Sequence, residues 1–475
     1  MTALLLILIP LAAGLVSFAM KQDSAAKTIS LLASLVTLAL ALAAVGTPSA
    51  IVYDVAWLND LGSRFTLKMD GLSKLLALLT AVAYPLIFAA IQKNEYKNTS
   101  SFYGLMLLAQ AGLMGVFLAA DVLLFYFFWE LALIPVYFLS SIWGGEKRIA
   151  VTFKFFVYTF LGSLLMLAGI LLVYFQTADH SFAMKAFYEV KLSGAQQTVA
   201  FWLFFIAFAI KMPIFPLHTW QPDAYEQSPT ATTMVLSGIM VKMGLFAVVR
   251  WLLPVFPQAT LQFGNLIIIL SIIGMLYASL IAIRQDDIKR LIAYSSIAHI
   301  GLMCAALFSG SKSGTEGAMI QMFSHGINVI GMWIIADQIE QKLGTRKMSE
   351  LGGLAQKAPA MAVLLVVMAL ANIALPLTNA FIGEFLMFSG IFQHNMWMAA
   401  AAGISIILAA VYTLNMVQKV IYGALSPVSS TAVDISGNVK LALIIIAVVI
   451  IVFGVFPQPM IELTKDTAAG LFVKK

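Results

Sequence analysis

The chain has 475 residues, of which 61% are hydrophobic and only 11% charged, with a formal net charge of +6. Apolar content this high exceeds what a water-soluble core of this length needs, so lipid is the solvent for much of the surface. A single cysteine, Cys304, excludes an internal disulfide, and no cluster of Cys, His and carboxylates has zinc or iron–sulfur spacing, so no bound metal is expected. The positive balance reads as Lys and Arg held in cytoplasmic loops, not as a nucleic-acid footprint. No Gly-rich phosphate loop or dinucleotide fingerprint is present.

Apolar runs of about 20 residues, enough to span a bilayer, fall near 2–20, 27–46, 70–92, 102–120, 122–143, 150–176 and 199–217. The series continues near 230–252, 262–283, 288–308, 316–340, 360–391, 396–423 and 439–460. The pattern predicts an all-α polytopic membrane protein with about 14 transmembrane helices and no soluble domain. The first run has neither a basic leader nor a clear cleavage site and is expected to stay as helix one. Between the fourth and fifth runs only Asp121 marks a boundary. Lys and Arg gather in the loops after odd-numbered runs, as at Lys93, Lys97, Lys147, Arg148, Lys342 and Arg346. That bias places those loops in the cytoplasm and both termini outside, although Lys465, Lys474 and Lys475 run against it.

Three charges sit deep in these runs. Glu130 lies about eight residues into its run, and Lys211 and Lys242 about twelve into theirs, near mid-membrane. Each buried charge costs at least about 2.5–3.5 kcal/mol, so the three must pair or touch water. One Glu neutralises one Lys; the other must lose its proton or wait for a mobile charge. At about 7 Å and an effective dielectric near 20, two charges interact by about 2.4 kcal/mol, enough for protonation of Glu130 to release a proton from a neighbouring lysine. A static salt bridge that fixes helix register is the alternative.

Two runs are interrupted. Pro213, Pro216 and Pro222 follow Lys211, with His218 in between; Pro376 and Gly383 lie just ahead of Glu384. Proline removes a backbone donor and obstructs the preceding turn, and a helix broken at this depth must line water or be buried by protein. Interrupted helices in corresponding positions of two halves mark repeat-built transporters. The division is then 1–101 for helices 1–3, 102–252 for a first repeat (helices 4–8), 253–424 for a second (helices 9–13), and 425–475 for helix 14. His299 and His325 each lie about ten residues into their runs, where imidazole can pass protons near neutral pH. The order Glu130, Lys211, Lys242, His299, His325, Glu384 suggests a polar axis in the membrane plane. The charges from Arg284 to Arg290 read as a solvated face with helix-end pairing.

These residues resemble a known family, the antiporter-like subunits of respiratory complex I (NADH-quinone oxidoreductase), and within it the M-type subunits. The carriers are Phe125 to Pro135, Ile142-Trp-Gly-Gly, Lys211-Met-Pro with Pro216-Leu-His, Pro222-Asp-Ala, Ser228-Pro-Thr, the stretch Gln285 to Ser296, Ser324-His-Gly, Gly352-Gly-Leu and Phe381-Ile-Gly-Glu-Phe. Trp143-Gly-Gly-Glu-Lys-Arg points to the M type. The resemblance implies two inverted five-helix repeats and proton translocation driven by electron transfer elsewhere. It implies that Glu130, Lys211, Lys242, His299, His325 and Glu384 carry protons. NADH, FMN, iron–sulfur clusters and quinone are then expected in partner subunits, with no cofactor in this chain. The implied partners are other membrane-arm subunits, especially the L-like and N-like ones, in a bacterial inner membrane, where the loop charges put both termini on the periplasmic side. Gln221-Pro-Asp-Ala-Tyr departs from the family's usual Leu-Pro-Asp-Ala-His. The D-type subunits of multisubunit sodium/proton antiporters are the alternative in the transporter class, and a scaffold with purely structural charges is the alternative outside it.

Overall fold

The computed structural model describes residues 1–47 and 50–471; Lys474 and Lys475 lie outside the described residues. The chain opens with α1 (Thr2–Phe18) and α2 (Asp23–Val45). A hairpin of β1 (Ile51–Leu58) and β2 (Ser63–Met69) follows. Next come α3 (Gly71–Ala90), α4 (Thr99–Leu118), α5 (Val122–Trp143) and α6 (Arg148–Tyr174). The middle of the chain forms α7 (Gly194–Lys211), the short α8 (Gln221–Gln227), α9 (Thr230–Val255) and α10 (Pro257–Arg284). It continues as α11 (Ile288–Phe308), α12 (Lys312–Leu343), α13 (Pro359–Asn372) and α14 (Asn379–His394). The last elements are α15 (Met396–Ile421), α16 (Gly437–Val455) and α17 (Gln458–Gly470). Among the described residues twelve helices are long and apolar enough to cross a membrane, with α1 and α13 as shorter apolar helices.

The arrangement is concentric. The apolar windows of α9 and α12 are 100% buried and that of α11 94%, whereas those of α15 and α16 are only 28% buried. The outer helices turn Ile407, Val411, Ile451 and Val455 outward, where lipid is as apolar as the side chains. Lys242, His299 and His325 thus fall on the most enclosed helices, whereas Glu130 and Lys211 lie on α5 and α7, whose apolar windows are 56% buried.

The hairpin corrects the all-α expectation. Ile51 to Met69 pair antiparallel, with Tyr53 opposite Leu67 and Val55 opposite Phe65, around a turn closed by Gly62 at φ 70°. Its alternating pattern has the period of a strand, and a search for long apolar runs passes over it. Asp121 ties it to the bundle. The carboxylate accepts from the N–H groups of Leu123 and Leu124, both at 3.0 Å, and so caps α5; it also accepts from Ser63 Oγ at 2.9 Å and the Arg64 N–H at 3.1 Å.

A second junction joins α3 to α9. Asp70 caps α3 through the Ser73 N–H and receives both Arg250 nitrogens, Nη1 at 2.6 Å and Nη2 at 2.7 Å. Burial works against the Asp70 carboxylate, but Arg250 outweighs it and holds the carboxyl below its ordinary range. The polar α17 lies beside this junction, its Leu463 carbonyl so close to Gly71 that a Cβ there would not fit.

Asp121→Ala is expected to lose about 2 kcal/mol or more, because four donors lose one acceptor; thermal unfolding of the detergent-solubilised protein measures it. For Asp70 the folded carboxyl titrates below the unfolded one. Its stabilising contact is therefore complete above about pH 4 and is lost as pH falls through the depressed value. Asp70→Asn should abolish that acid-dependent part of the unfolding curve.

Candidate functional site

Four of the six predicted residues meet in one contact series. Lys242, fully buried on α9, donates from Nζ to the Ser237 carbonyl at 2.6 Å and lies 2.8 Å from His325 Nδ1 on α12. The His325 ring faces that of His299 on α11, with centroids 5.4 Å apart. His299 Nδ1 stands 3.2 Å from Glu384 Oε1 on α14, and Gln321 Nε2 is 3.4 Å from the same oxygen. The spatial order is therefore Lys242, His325, His299, Glu384. This corrects the chain-order expectation, which placed His299 before His325.

Two close crossings of helices create the series. A Cβ on Gly326 would lie 2.7 Å from the Gly238 carbonyl oxygen, so α9 and α12 touch backbone to backbone one residue from His325. A Cβ on Gly317 would lie 2.7 Å from the Gly383 carbonyl, which brings α14 and Glu384 onto α12. In α9, π-type turns at Leu236–Met240 and Val248–Leu252 flank Lys242. The Val241 N–H reaches back five residues to the Leu236 carbonyl. Such turns insert one residue into the helical phase and recur at functional sites.

The other two residues stand apart. Lys211 is the last residue of α7, not an interior one as expected from the apolar run, and it occupies the negative end of that helix's dipole. Its Nζ sits 5.4 Å from the centre of the Trp129 ring and has no hydrogen-bond partner among the described residues. Glu130 is half-buried and interacts with Lys211 through its charge without closing to an ion pair within 4.0 Å. A Cβ on Gly244 of α9 would lie 2.8 Å from both the Phe208 carbonyl and Met212, so α7 and α9 pack tightly between Lys211 and Lys242. His218 joins neither group; its ring packs between Phe215 and Tyr277.

Both breaks are real, with one correction. The first spans Met212 to Trp220, where Trp220 Nε1 donates to the Ile210 carbonyl at 3.0 Å. The second spans Ile373 to Thr378, so Pro376 lies in it while Gly383 and Glu384 belong to the resumed helix. Ala374 and Leu377 take positive φ values of 53° and 75°, costly for residues with a Cβ and held by the surrounding contacts. Asn328 Nδ2 donates to the Ala371 carbonyl at 3.2 Å, and Asn372 Nδ2 to Ser295 Oγ at 3.1 Å.

The charges near α11 are more than a solvated face. Arg290 Nη1 binds Asp223 at 3.3 Å and Glu226 at 2.6 Å; Arg346 binds Glu226 and Asp287, each at 3.0 Å; Lys154 binds Asp223 at 2.9 Å. Buried Lys289 pairs with Glu340. Sequence reasoning missed this network because its members are scattered over α6, α8, α11 and α12. Gln321 was also missed, although a glutamine one turn before His325 in an apolar helix is a visible signal.

A family model described as "NADH:quinone oxidoreductase/Mrp antiporter, TM" matches residues 119–411. The chain belongs to this family. NADH-quinone oxidoreductase subunit M of Rhodobacter capsulatus is 36% identical over 467 residues, covering 94% of this chain and 91% of that one. The subunit M of Escherichia coli (strain K12) is 36% identical over 429 residues, covering 88% and 84%. Among solved structures, respiratory complex I from Thermus thermophilus with bound NADH contains a chain that superposes with a TM-score of 0.92 at 29% identity, covering 99% of this chain and all of that one. A chain of the Mrp complex from Dietzia sp. DQ12-45-1b has the same fold, with a TM-score of 0.90 at 20% identity over 100% and 98% of the two chains.

The family's antiporter architecture makes the close crossing testable. Gly326→Leu has no room against Gly238 and is expected to cost about 1–3 kcal/mol and to separate Lys242 from His325. Thermal unfolding and proton transport by the assembled complex measure the two effects.

Proposed function

We propose that this chain is the proton-translocating, M-type membrane-arm subunit of an NADH-quinone oxidoreductase, moving protons through Glu130, Lys211, Lys242, His325, His299 and Glu384. The observation that carries this reading is the contact series from Lys242 to Glu384. With Lys242 charged, Nζ donates to His325 Nδ1, which puts the imidazole proton on Nε2. Nε2 of His325 and of His299 are both buried and free of protein partners, so each can release or receive a proton. On the far side His299 Nδ1 faces the Glu384 carboxylate, which accepts the charge. A proton entering at Lys242 therefore leaves at Glu384 after two imidazole steps.

The same reading takes the chain as about fourteen spans, counting α1 and treating α13 with α14 as one interrupted helix. Two inverted five-helix repeats, 102–252 and 253–424, are supported by a likeness between the breaks. The Ile214 N–H reaches back five residues to Ala209, and the Leu375 N–H five residues to Leu370. In each case the next carbonyl, of Ile210 or Ala371, takes a side-chain donor from elsewhere. Lys211 and Asn372 are equivalent under that match. NADH, FMN, iron–sulfur clusters and quinone belong to partner subunits, with L-like and N-like antiporter subunits as neighbours. The membrane is the bacterial inner membrane, with both termini periplasmic.

Replacing Lys242 or Lys211 by Ala, or Glu130 by Ala, is expected to lower NADH-driven proton pumping per assembled complex at least about tenfold. Pumping by vesicles bearing the variant complexes is the measurement. Undiminished pumping in Lys242→Ala would leave a scaffold whose charges only hold helices. Sodium-dependent exchange without NADH oxidation would instead favour a subunit of a sodium/proton antiporter.

A further inference from the structure

The ion-pair network at the Arg290 face balances four cations, Lys154, Lys289, Arg290 and Arg346, against four carboxylates. A fifth carboxylate is surplus. Asp337, on α12, is only 7% exposed; Gln341 Nε2 donates to it at 2.7 Å, and Thr230 and Lys289 act on it from α9 and α11. Lys289 is already paired with Glu340 and donates to Thr230 Oγ1 at 2.9 Å. A buried carboxylate without a cation of its own is stabilised by taking a proton.

Asp337 is joined to the site by a row of residues on its own helix. Residues 325, 329, 333 and 337 follow at every fourth position of α12, each stacked about one turn beyond the last with a drift of about 40° per step, so Asp337 stands about 18 Å along the helix from His325 and about a third of a turn round from it. Opposite, on α9, a ladder of polar groups runs the same way. Thr233 Oγ1 donates to the Tyr225 carbonyl at 3.0 Å, Ser237 Oγ to the Thr233 carbonyl at 2.8 Å, and Lys242 Nζ to the Ser237 carbonyl at 2.6 Å. The rings of Tyr225 and Trp333 meet at 6.0 Å between the two rows, and Tyr225 OH and Trp333 Nε1 are buried without protein partners. Native proteins satisfy such atoms with bound water.

We propose that Asp337 is the proton-loading carboxylate of this subunit, feeding the Lys242–His325 contact along the Thr230–Thr233–Ser237 edge of α9. Asp337 takes one proton from water at the Arg290 face and becomes a neutral carboxylic acid. Once Lys242 has lent its proton to His325 Nδ1 and His325 has passed its Nε2 proton on toward His299, Asp337 gives its proton through water to the vacated Nε2 and returns to the carboxylate, and the Nδ1 proton goes back to Lys242. The cycle ends with Lys242 charged and His325 protonated on Nε2 as before, and only N–H and O–H bonds form or break. The step rests on the role assigned to Lys242 and His325 above.

The test uses the assembled complex in inverted membrane vesicles, with NADH-driven proton uptake measured per complex. Asp337→Asn is expected to lower uptake at least about tenfold, and Asp337→Glu to restore most of it. Thr230→Val keeps every charge and is expected to slow uptake and enlarge its solvent deuterium isotope effect. Wild-type uptake in Asp337→Asn, or an assembled Asp337→Glu no better than Asn, overturns the proposal. If Asp337→Asn does not assemble, Thr230→Val decides, and unchanged uptake with an unchanged isotope effect overturns it. Lys242→Ala run alongside separates the two readings. Loss there with full uptake in Asp337→Asn removes only the loading role, whereas full uptake in Lys242→Ala removes the path it serves.

Discussion

A lysine held in hydrocarbon has to be solvated by the protein around it, and the architecture follows from that requirement. Among the described residues Lys242 has only a backbone carbonyl and one imidazole within hydrogen-bonding reach. The carbonyl, of Ser237, lies on α9 itself, and the imidazole is within reach because α9 and α12 cross with no side chain between Gly238 and Gly326. A crossing that close must itself be enclosed, since neither helix can turn polar groups to lipid. The other helices accordingly surround this pair, and their apolar side chains face outward.

Helix ends supply the remaining polarity without further charges. Lys211 sits where the carbonyls of α7 run out, a position that favours a cation; Glu384 sits in the second turn of α14, near an end that favours an anion. Each interruption would leave buried backbone groups unpaired, and side chains bond to them instead, Trp220 from the far end of the first break and Asn328 from α12 at the second. The breaks therefore create local charge preference at mid-depth while the backbone remains satisfied.

Much of this was legible from energetic cost. Glu130, Lys211, Lys242 and Glu384 stand out in sequence because an ionisable group in an apolar run is expensive, and the prolines after Lys211 announce a break for steric reasons. What escaped was whatever depends on neighbours far along the chain. The order of His325 and His299 is set by which helices cross, and one-dimensional spacing carries no record of that. The hairpin is too short and too polar to register among long apolar runs. Asp337 lies near a helix end among other charges and looks like ordinary surface until its surroundings are counted.

The π-type turn before Lys242 has one more consequence. An α-helix advances about 100° per residue, so a single extra residue between Ser237 and Lys242 decides which neighbour the lysine addresses. The polar edge of α9 before the turn and the lysine after it belong to two different helical phases, joined at one wide loop of backbone. Its function is thus encoded partly as an insertion, a feature of length rather than of chemistry. A comparison that aligns residue types while tolerating gaps in helices can match every charge and still misplace it.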